Sequence, residues 1–391
     1  MSTAWALLTI WLAAATGQPV AGAPSPAAAR PIAADFTAAQ AVLEAAIDER
    51  VFPGCAVMVG TSDKTLWTAE FGALDETGAQ RPTATTLYDL ASLTKVVSTT
   101  LVILKLVERG DLDVQDHVHA LLPGFARKGA TARERRWRRT IRVEHLLRHN
   151  AGFPAWRPLY RRGRGLSGIV AAAAAVPLAS RPGVKTLYSD LDFILLGAIA
   201  AKVGGAPLAE LERSLLFAPL GMGDTVRAPA DSAVIAPTTK RQRGGYLRGV
   251  VHDRNARAAH GLTGHAGLFS TTRDLGRLAR ELLRALADRG AVIKGEPLRT
   301  FTTRGDSTFA LGWDTPSADG SAAGSRLSTA AFGHTGFTGT SLWIDPQRDL
   351  YVVLLSNRVH PKSTRAGKRA MYRVRRAFQD AVVDAVDRAR G

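Results

Sequence analysis

Apolar positions along the chain change period several times, and the changes mark its elements. In residues 36–50 (FTAAQAVLEAAIDER), Phe36, Val42, Leu43, Ala46 and Ile47 fall to one side at helical spacing. VFPGCAVMVG (51–60) is a short continuous apolar run, the pattern of a buried strand. TLWTAEFG (65–72) reads as its partner across a turn at Ser62-Asp63-Lys64. Residues 92–109 read as an apolar helix ended by Gly110. Helical patterns recur at 143–149, 166–176, 190–203, 207–216 and 271–287, the last opening on a capping box, Thr271-x-x-Asp274. FGHTGFTGTSLWIDPQRDLYVVLLSN returns to strands, with a turn at Asp345-Pro346-Gln347-Arg348, and 364–389 closes the chain as a helix. The order is helix, strands, helical insertion, strands, helix. It predicts an α/β (α+β) chain whose two ends meet in one antiparallel sheet covered by the terminal helices. The α/β part would take about 36–115 and 290–391, and a mostly helical part about 116–289.

The apolar run at 4–16 is too short for a transmembrane helix, which needs ~20 residues, but has the length of a signal-peptide core. Ala21-Gly22-Ala23 follows as a small-residue cleavage site, although no Lys or Arg precedes the run and Pro24 follows the cut. The expectation is a leader over 1–23, a Pro/Ala linker over 24–35 and one domain over 36–391, with a periplasmic or secreted destination.

With 46% hydrophobic and 22% charged residues in 391, wholesale disorder is excluded. The single cysteine, Cys55, excludes an internal disulfide framework and a Cys-based zinc finger; its mid-strand place reads as a small buried residue. The net charge of +17 speaks to partners rather than fold. Residues 127–142 carry eight basic side chains against one acid and read as a solvated loop, the alternative being contact with an anionic cell-wall or membrane surface. Nucleic acid would want interleaved aromatics there, and Trp137 stands alone. Gly163-Arg164-Gly165-Leu166-Ser167-Gly168 lacks the strand that a dinucleotide loop requires, and neither a Walker A nor a G-x-S-x-G pattern occurs. His145 and His149 share helical spacing, but no Glu sits between them as in H-E-x-x-H; they read as polar positions at a helix end. His252, His260 and His265, near Asp253, read as hydrogen-bonding groups in loops. No cofactor and no metal are expected.

The chemistry concentrates in three places. Ser92-Leu93-Thr94-Lys95 opens the apolar helix at 92–109, so the hydroxyl and the amine stand one turn apart on one face. A serine hydroxyl is a weak nucleophile unaided, and free backbone N–H groups at a helix start favour a developing anion. Tyr188-Ser189-Asp190 precedes a second apolar helix. A phenol there can project into a cleft, and a nearby ammonium would lower its pKa and make it a better proton acceptor. His334-Thr335-Gly336 lies on a strand, where the glycine allows close approach of a ligand to the backbone.

Together these three resemble the serine penicillin-recognising family: class C β-lactamases, D,D-carboxypeptidases, D-aminopeptidases and related esterases. There the order is S-x-x-K, Y-x-N, then K-T-G or H-T-G. Phe52-Pro53-Gly54, YDLASLTK, GDLDVQD, HLLRHNAGFP, PLGMGDT, VHDRNARAAHGLTGHAGLFSTTRDL, FALGWDTP and GHTGFTGTSLWIDP extend the likeness across roughly 36–390. The resemblance implies a β-lactamase/transpeptidase-like fold. It implies Ser92 as the acylated nucleophile, Lys95 assisting its deprotonation and Tyr188 as the proton relay. The backbone N–H groups of Ser92 and Phe337 would form the oxyanion hole. His334, Thr335 and Gly336 would line the pocket and contact a substrate carboxylate.

Two departures bear on the reaction. Asp190 stands where class C enzymes carry Asn, and a carboxylate beside Lys95 would hold the lysine protonated. His334 replaces the usual lysine, and a mostly neutral imidazole holds a carboxylate less strongly near pH 7. The expectation is therefore a serine acyl hydrolase working through an acyl-enzyme on a D-amino-acid cell-wall peptide or a small ester, with at most weak β-lactam hydrolysis. The alternatives are a β-lactamase proper, or a non-catalytic binder of wall peptide or β-lactam.

Overall fold

The computed structural model describes residues 33–241, 244–317 and 321–391. The expected leader and nearly all of the expected linker lie outside the described residues. Among the described residues seven strands form in chain order: β1 (Gly54–Gly60), β2 (Thr65–Gly72), β3 (Tyr88–Asp89), β4 (Phe269–Ser270), β5 (Phe332–Thr335), β6 (Ser341–Asp345) and β7 (Leu350–Ser356). Five of them make one antiparallel sheet in the order β2-β1-β7-β6-β5, with Val57 opposite Leu354 and His334 opposite Leu342. Strands from the two ends of the described chain, β1 and β7, thus pair directly, as the sequence order predicts.

Both faces of this sheet are covered, which is why β1 and β7 read as continuous apolar runs rather than alternating ones. Cys55, Val57 and Val59 of β1, with Val352 and Leu354 of β7, pack under the terminal helices Thr37–Asp48 and Arg365–Arg390 against Leu43, Phe378 and Val382. The alternate residues Ala56, Tyr351, Val353 and Leu355 face a second, larger core. Helix Thr272–Leu286 packs on that side against β1 and β7. Its Thr271 hydroxyl accepts from the Asp274 N–H at 3.2 Å, the expected start signal. Helix Asp190–Gly204 lies in the middle of the larger core and is buried on almost every side.

Two local expectations are corrected. The basic stretch 127–142 is not a solvated loop: it contains helix Ala132–Thr140, capped by Thr131, whose hydroxyl accepts from Glu134 N. Arg138, fully buried, pairs with Glu134 at 2.9 Å and donates to the carbonyls of Ala174 and Val176 at 2.6 Å each. Secondly, the helix expected from residue 92 starts irregularly. A 3₁₀ turn, Ala91–Leu93, is followed by a π turn, Lys95–Thr99, before regular helix runs over Thr100–Glu108. Turns of π type inside helices are rare and concentrate at functional sites.

Candidate active site

Strand β3 delivers Ser92. It pairs with β4, and the next N–H, of Leu90, donates to the Leu268 carbonyl at 2.9 Å. The buried Asp89 carboxyl accepts from the N–H groups of Ala91 (2.9 Å) and His252 (2.7 Å), tying the turn to a distant loop. Ala91 sits at φ +46°, in the left-handed region that a Cβ disfavours, so this turn is strained immediately before the serine.

One side chain organises what lies around the hydroxyl. Lys95, fully buried, donates to Ser92 Oγ at 3.0 Å, to Asp190 Oδ1 at 2.7 Å and to the His265 carbonyl at 3.3 Å. Its three N–H bonds are therefore all used, and it donates to the serine rather than accepting from it. Burial by itself would favour the neutral amine, but the Asp190 charge, with Tyr188, outweighs it and the lysine pKa ends above its ordinary value. Asp190 begins its helix directly after Ser189, whose hydroxyl caps it by accepting from Leu191 N at 3.2 Å. The cap thereby fixes Tyr188 and Asp190 on either side of it.

The Tyr188 ring lies 4.8 Å from Lys95 Nζ, and its hydroxyl is within hydrogen-bonding reach of Lys95 and Ser92. The expected lowering of its pKa is not found. Burial raises it, and the ammonium of Lys95 offsets this only in part, with Asp190 working in the same direction as burial. The phenol is consequently protonated in the resting site.

The third wall comes from β5 and the loop to β6. His334 Nδ1 is 2.8 Å from the Thr335 carbonyl, so that nitrogen carries the proton. Burial, and then the nearby Lys95 charge, push His334 down to about 3, leaving a neutral ring. The loop is clamped to the serine turn: Thr338 Oγ1 donates to Asp89 O at 2.7 Å and Thr340 Oγ1 to Leu90 O at 3.0 Å. Gly336 is demanded by this clamp rather than by a ligand, since a Cβ there would run into Leu90 O and Thr340 Oγ1. Arg375 holds the loop from behind, donating to the carbonyls of Gly336 and Thr340 at 2.7 Å each. The Phe337 N–H has no acceptor among the described residues. Ser92, Tyr188, His334, Thr335, Gly336 and Phe337 together border an open cavity of about 250 Å³.

A model of the Beta-lactamase family matches residues 39–375. The chain belongs to the beta-lactamase family. A relative from Escherichia coli (strain K12), named "Putative D-alanyl-D-alanine carboxypeptidase", is 34% identical over 318 residues, covering 72% of this chain and 71% of its own. Among solved structures, EstCE1, "a hydrolase with promiscuous acyltransferase activity", superposes with a TM-score of 0.72 at 22% identity over 88% of this chain and 97% of its own. An octameric penicillin-binding protein homologue from Pyrococcus abyssi gives a TM-score of 0.65 at 19% identity, over 83% and 73%. The fold is that of the family, and the chain is a serine hydrolase.

In this beta-lactamase-family chain, several groups at the site escaped the sequence reading. His149 lies just past the end of helix Val143–Leu147, as read, but is buried, with its ring 4.7 Å from Tyr188 and 5.0 Å from Phe309. The Ser189 N–H donates to His149 Nδ1 at 3.2 Å, so the 3.1 Å contact of that nitrogen with Asp192 needs a proton from the carboxyl. Burial supplies the reason, pushing Asp192 well above and His149 well below their ordinary values. His265 Nε2 lies 2.9 Å from Asp253 Oδ1 under the site, as loop hydrogen bonding predicts. Asp190, Asp253 and His265 bring potential ligand atoms within 4.8 Å of one another, but the cation that meets Asp190 there is the Lys95 ammonium. Arg358 lines the cavity with its guanidinium 4.4 Å from the Phe337 ring. The local signals are the HLLRHN stretch around His149 and the stretch that carries Asp253 and His265; Asp192 and Arg358 carry none.

Proposed function

We propose that this chain is a D,D-carboxypeptidase-like acyl hydrolase that forms an acyl-enzyme on Ser92. The observation that carries the reading is the Ser92 hydroxyl, bonded to Lys95 with the Tyr188 phenol at hand, on the same cavity as the unengaged Phe337 N–H. The Lys95–Asp190 pair is net neutral, and it is the base of the site. As Ser92 Oγ attacks the carbonyl carbon, its proton passes through Tyr188 and Lys95, and Asp190 takes up the proton that the lysine gives away. The carbonyl π pair moves onto oxygen, where the N–H groups of Ser92 and Phe337 meet it; one such donor is worth about 3 kcal/mol. Collapse of the adduct expels the amine, which takes the stored proton. Water then repeats the sequence on the ester and releases Ser92.

A D-alanyl peptide is favoured over a β-lactam by two considerations. The relative from E. coli bears a carboxypeptidase name, and the neutral His334 stands where a β-lactamase would place a cation. Export toward the cell wall goes with this reading. The test is a panel of a D-Ala-D-Ala peptide, nitrocefin and p-nitrophenyl acetate on the wild-type chain and Ser92→Ala. We expect release of D-alanine, weak or no nitrocefin turnover, and a fall of at least about 10³-fold in every activity with the variant. Full turnover by Ser92→Ala would remove the nucleophile, and ester turnover without D-alanine release would remove the peptide substrate.

A further inference from the structure

The charge layout of the C-terminal helix is reversed with respect to its dipole. Arg365, Lys368, Arg369 and Arg373 crowd its first turns, where no acid is present, while Asp380, Asp384 and Asp387 all lie in its second half. A helix N-terminus favours acids, and like charges at i, i+4, here Arg365/Arg369 and Arg369/Arg373, repel. The acids are engaged elsewhere: Asp384 pairs with Arg326, Asp387 with Arg348, and Asp380 accepts from Ser325. None of the four cations has an ion-pair partner among the described residues.

Their spacing, i, i+3, i+4 and i+8, puts all four on one face, and that face borders a cavity of about 890 Å³. The cavity adjoins the Ser92 cavity, sharing Phe309, Asp314, Thr335, Lys368 and Arg375 with it. Two buried guanidinium groups have N–H bonds to spare: Arg375, which borders both cavities and is 9% exposed, has no acceptor for Nε, and Arg358, which borders the Ser92 cavity and is 4% exposed, none for Nη1. Leaving such donors unsatisfied inside a protein is costly unless something anionic meets them. The carboxyl between the two cavities, Asp314, is pushed up to about 7 by burial, against the Thr315 N–H bond, and so opposes an anion little below neutral pH.

We propose that this groove is an anion subsite that binds a carboxylate borne by the substrate away from the bond being cleaved, making the preferred substrate an acidic peptide. The inference rests on the reading of the site as a peptide hydrolase, because a ligand reaching from Ser92 into the groove must be one molecule and its anions are then side-chain carboxylates.

The experiment measures binding by calorimetry to the full-length Ser92→Ala chain, using two peptides ending in D-Ala-D-Ala that differ only in an upstream Glu or Gln. The Glu peptide should bind about tenfold more tightly, the scale of one charge-assisted contact, and the ratio should shrink as salt is added. Arg369→Glu/Arg373→Glu on this background should abolish the preference, and Arg369→Gln/Arg373→Gln should reduce it. Arg388→Glu, at the far end of the same helix, should keep it. Equal affinity of the two peptides, or a preference that survives Arg369→Glu/Arg373→Glu, overturns the subsite. So does inorganic phosphate binding to the groove while the two peptides bind alike. Binding does not require cleavage, so the two readings fail separately. A Glu preference without D-alanine release by the wild-type chain sinks the proposed reaction alone, and D-alanine release without a preference sinks the groove alone.

Discussion

The Lys95 ammonium lies 2.7 Å from Asp190 Oδ1 and 3.0 Å from Ser92 Oγ, so the charge of one acid governs the group that touches the Ser92 hydroxyl. An asparagine at 190 would offer the same hydrogen bond without the charge. In the proposed reaction the base is therefore made of two residues, and its behaviour with pH follows from the pair.

Asp190→Asn should move the acidic limb of the kcat/KM profile to higher pH. Without the carboxylate, burial of Lys95 is opposed chiefly by Tyr188, so the lysine pKa falls from its raised position. Proton acceptance from Ser92 then waits for Lys95 itself to lose its proton, which happens only as pH rises. An unchanged profile would take Asp190 out of the proton network. The same variant should lose about 3 kcal/mol of stability in a denaturant titration, because a fully buried ammonium keeps no counter-charge.

His334 makes the fold sensitive to acid. Its imidazole is held down to about 3 by burial, from an ordinary 6.5. Between those values the unfolded chain takes up the proton and the folded chain does not, so the contribution of His334 is intact above about 6.5 and is lost as pH falls toward 3. One such proton is worth about 1.4 kcal/mol per pH unit in that window. His334→Gln should flatten the acid side of the stability curve by about that slope, as read from urea midpoints between pH 6 and 4. Parallel curves for the two proteins would show that the ring charges freely in the folded state.

The basic stretch 127–142 contains one arginine of a different kind. Arg138 is fully buried and joins Glu134 to the carbonyls of Ala174 and Val176 at the end of helix Gly165–Ala174, whereas its neighbour Arg139 is exposed. Arg138→Ala should cost about 3–5 kcal/mol, leaving Glu134 and two carbonyls short of donors, while Arg139→Ala should stay within about 0.5 kcal/mol of wild type. Thermal unfolding of the two variants side by side checks this, and equal losses would contradict it.

Period and spacing are local properties, and what depends on them could be read from the chain. The run at 51–60 and the strands after 332 announce a sheet made from both ends, because strands covered on two faces must be apolar throughout. Thr271 with Asp274, and Ser189 before Asp190, announce helix starts because a cap needs only residues three apart. Ser92 with Lys95 announces its contact because one turn brings the two together.

Everything that turned on burial was settled by residues far away in the chain. Tyr188 beside an ammonium invites a lowered pKa, yet desolvation outweighs that charge, and how dry the phenol is depends on His149, Phe309 and His334 arriving from three other segments. Arg138 looks like its neighbours until Ala174 and Val176 close over it. The left-handed Ala91, the Gly336 clamp and the unpaired N–H of Arg358 likewise arise only where loops meet. Hydrophobic pattern and short spacing dictate which element forms and which neighbours face each other, for those interactions act within a turn or a strand. The protonation and the strain of a group depend on how much water the rest of the chain removes from it, and that is a property of the packed whole.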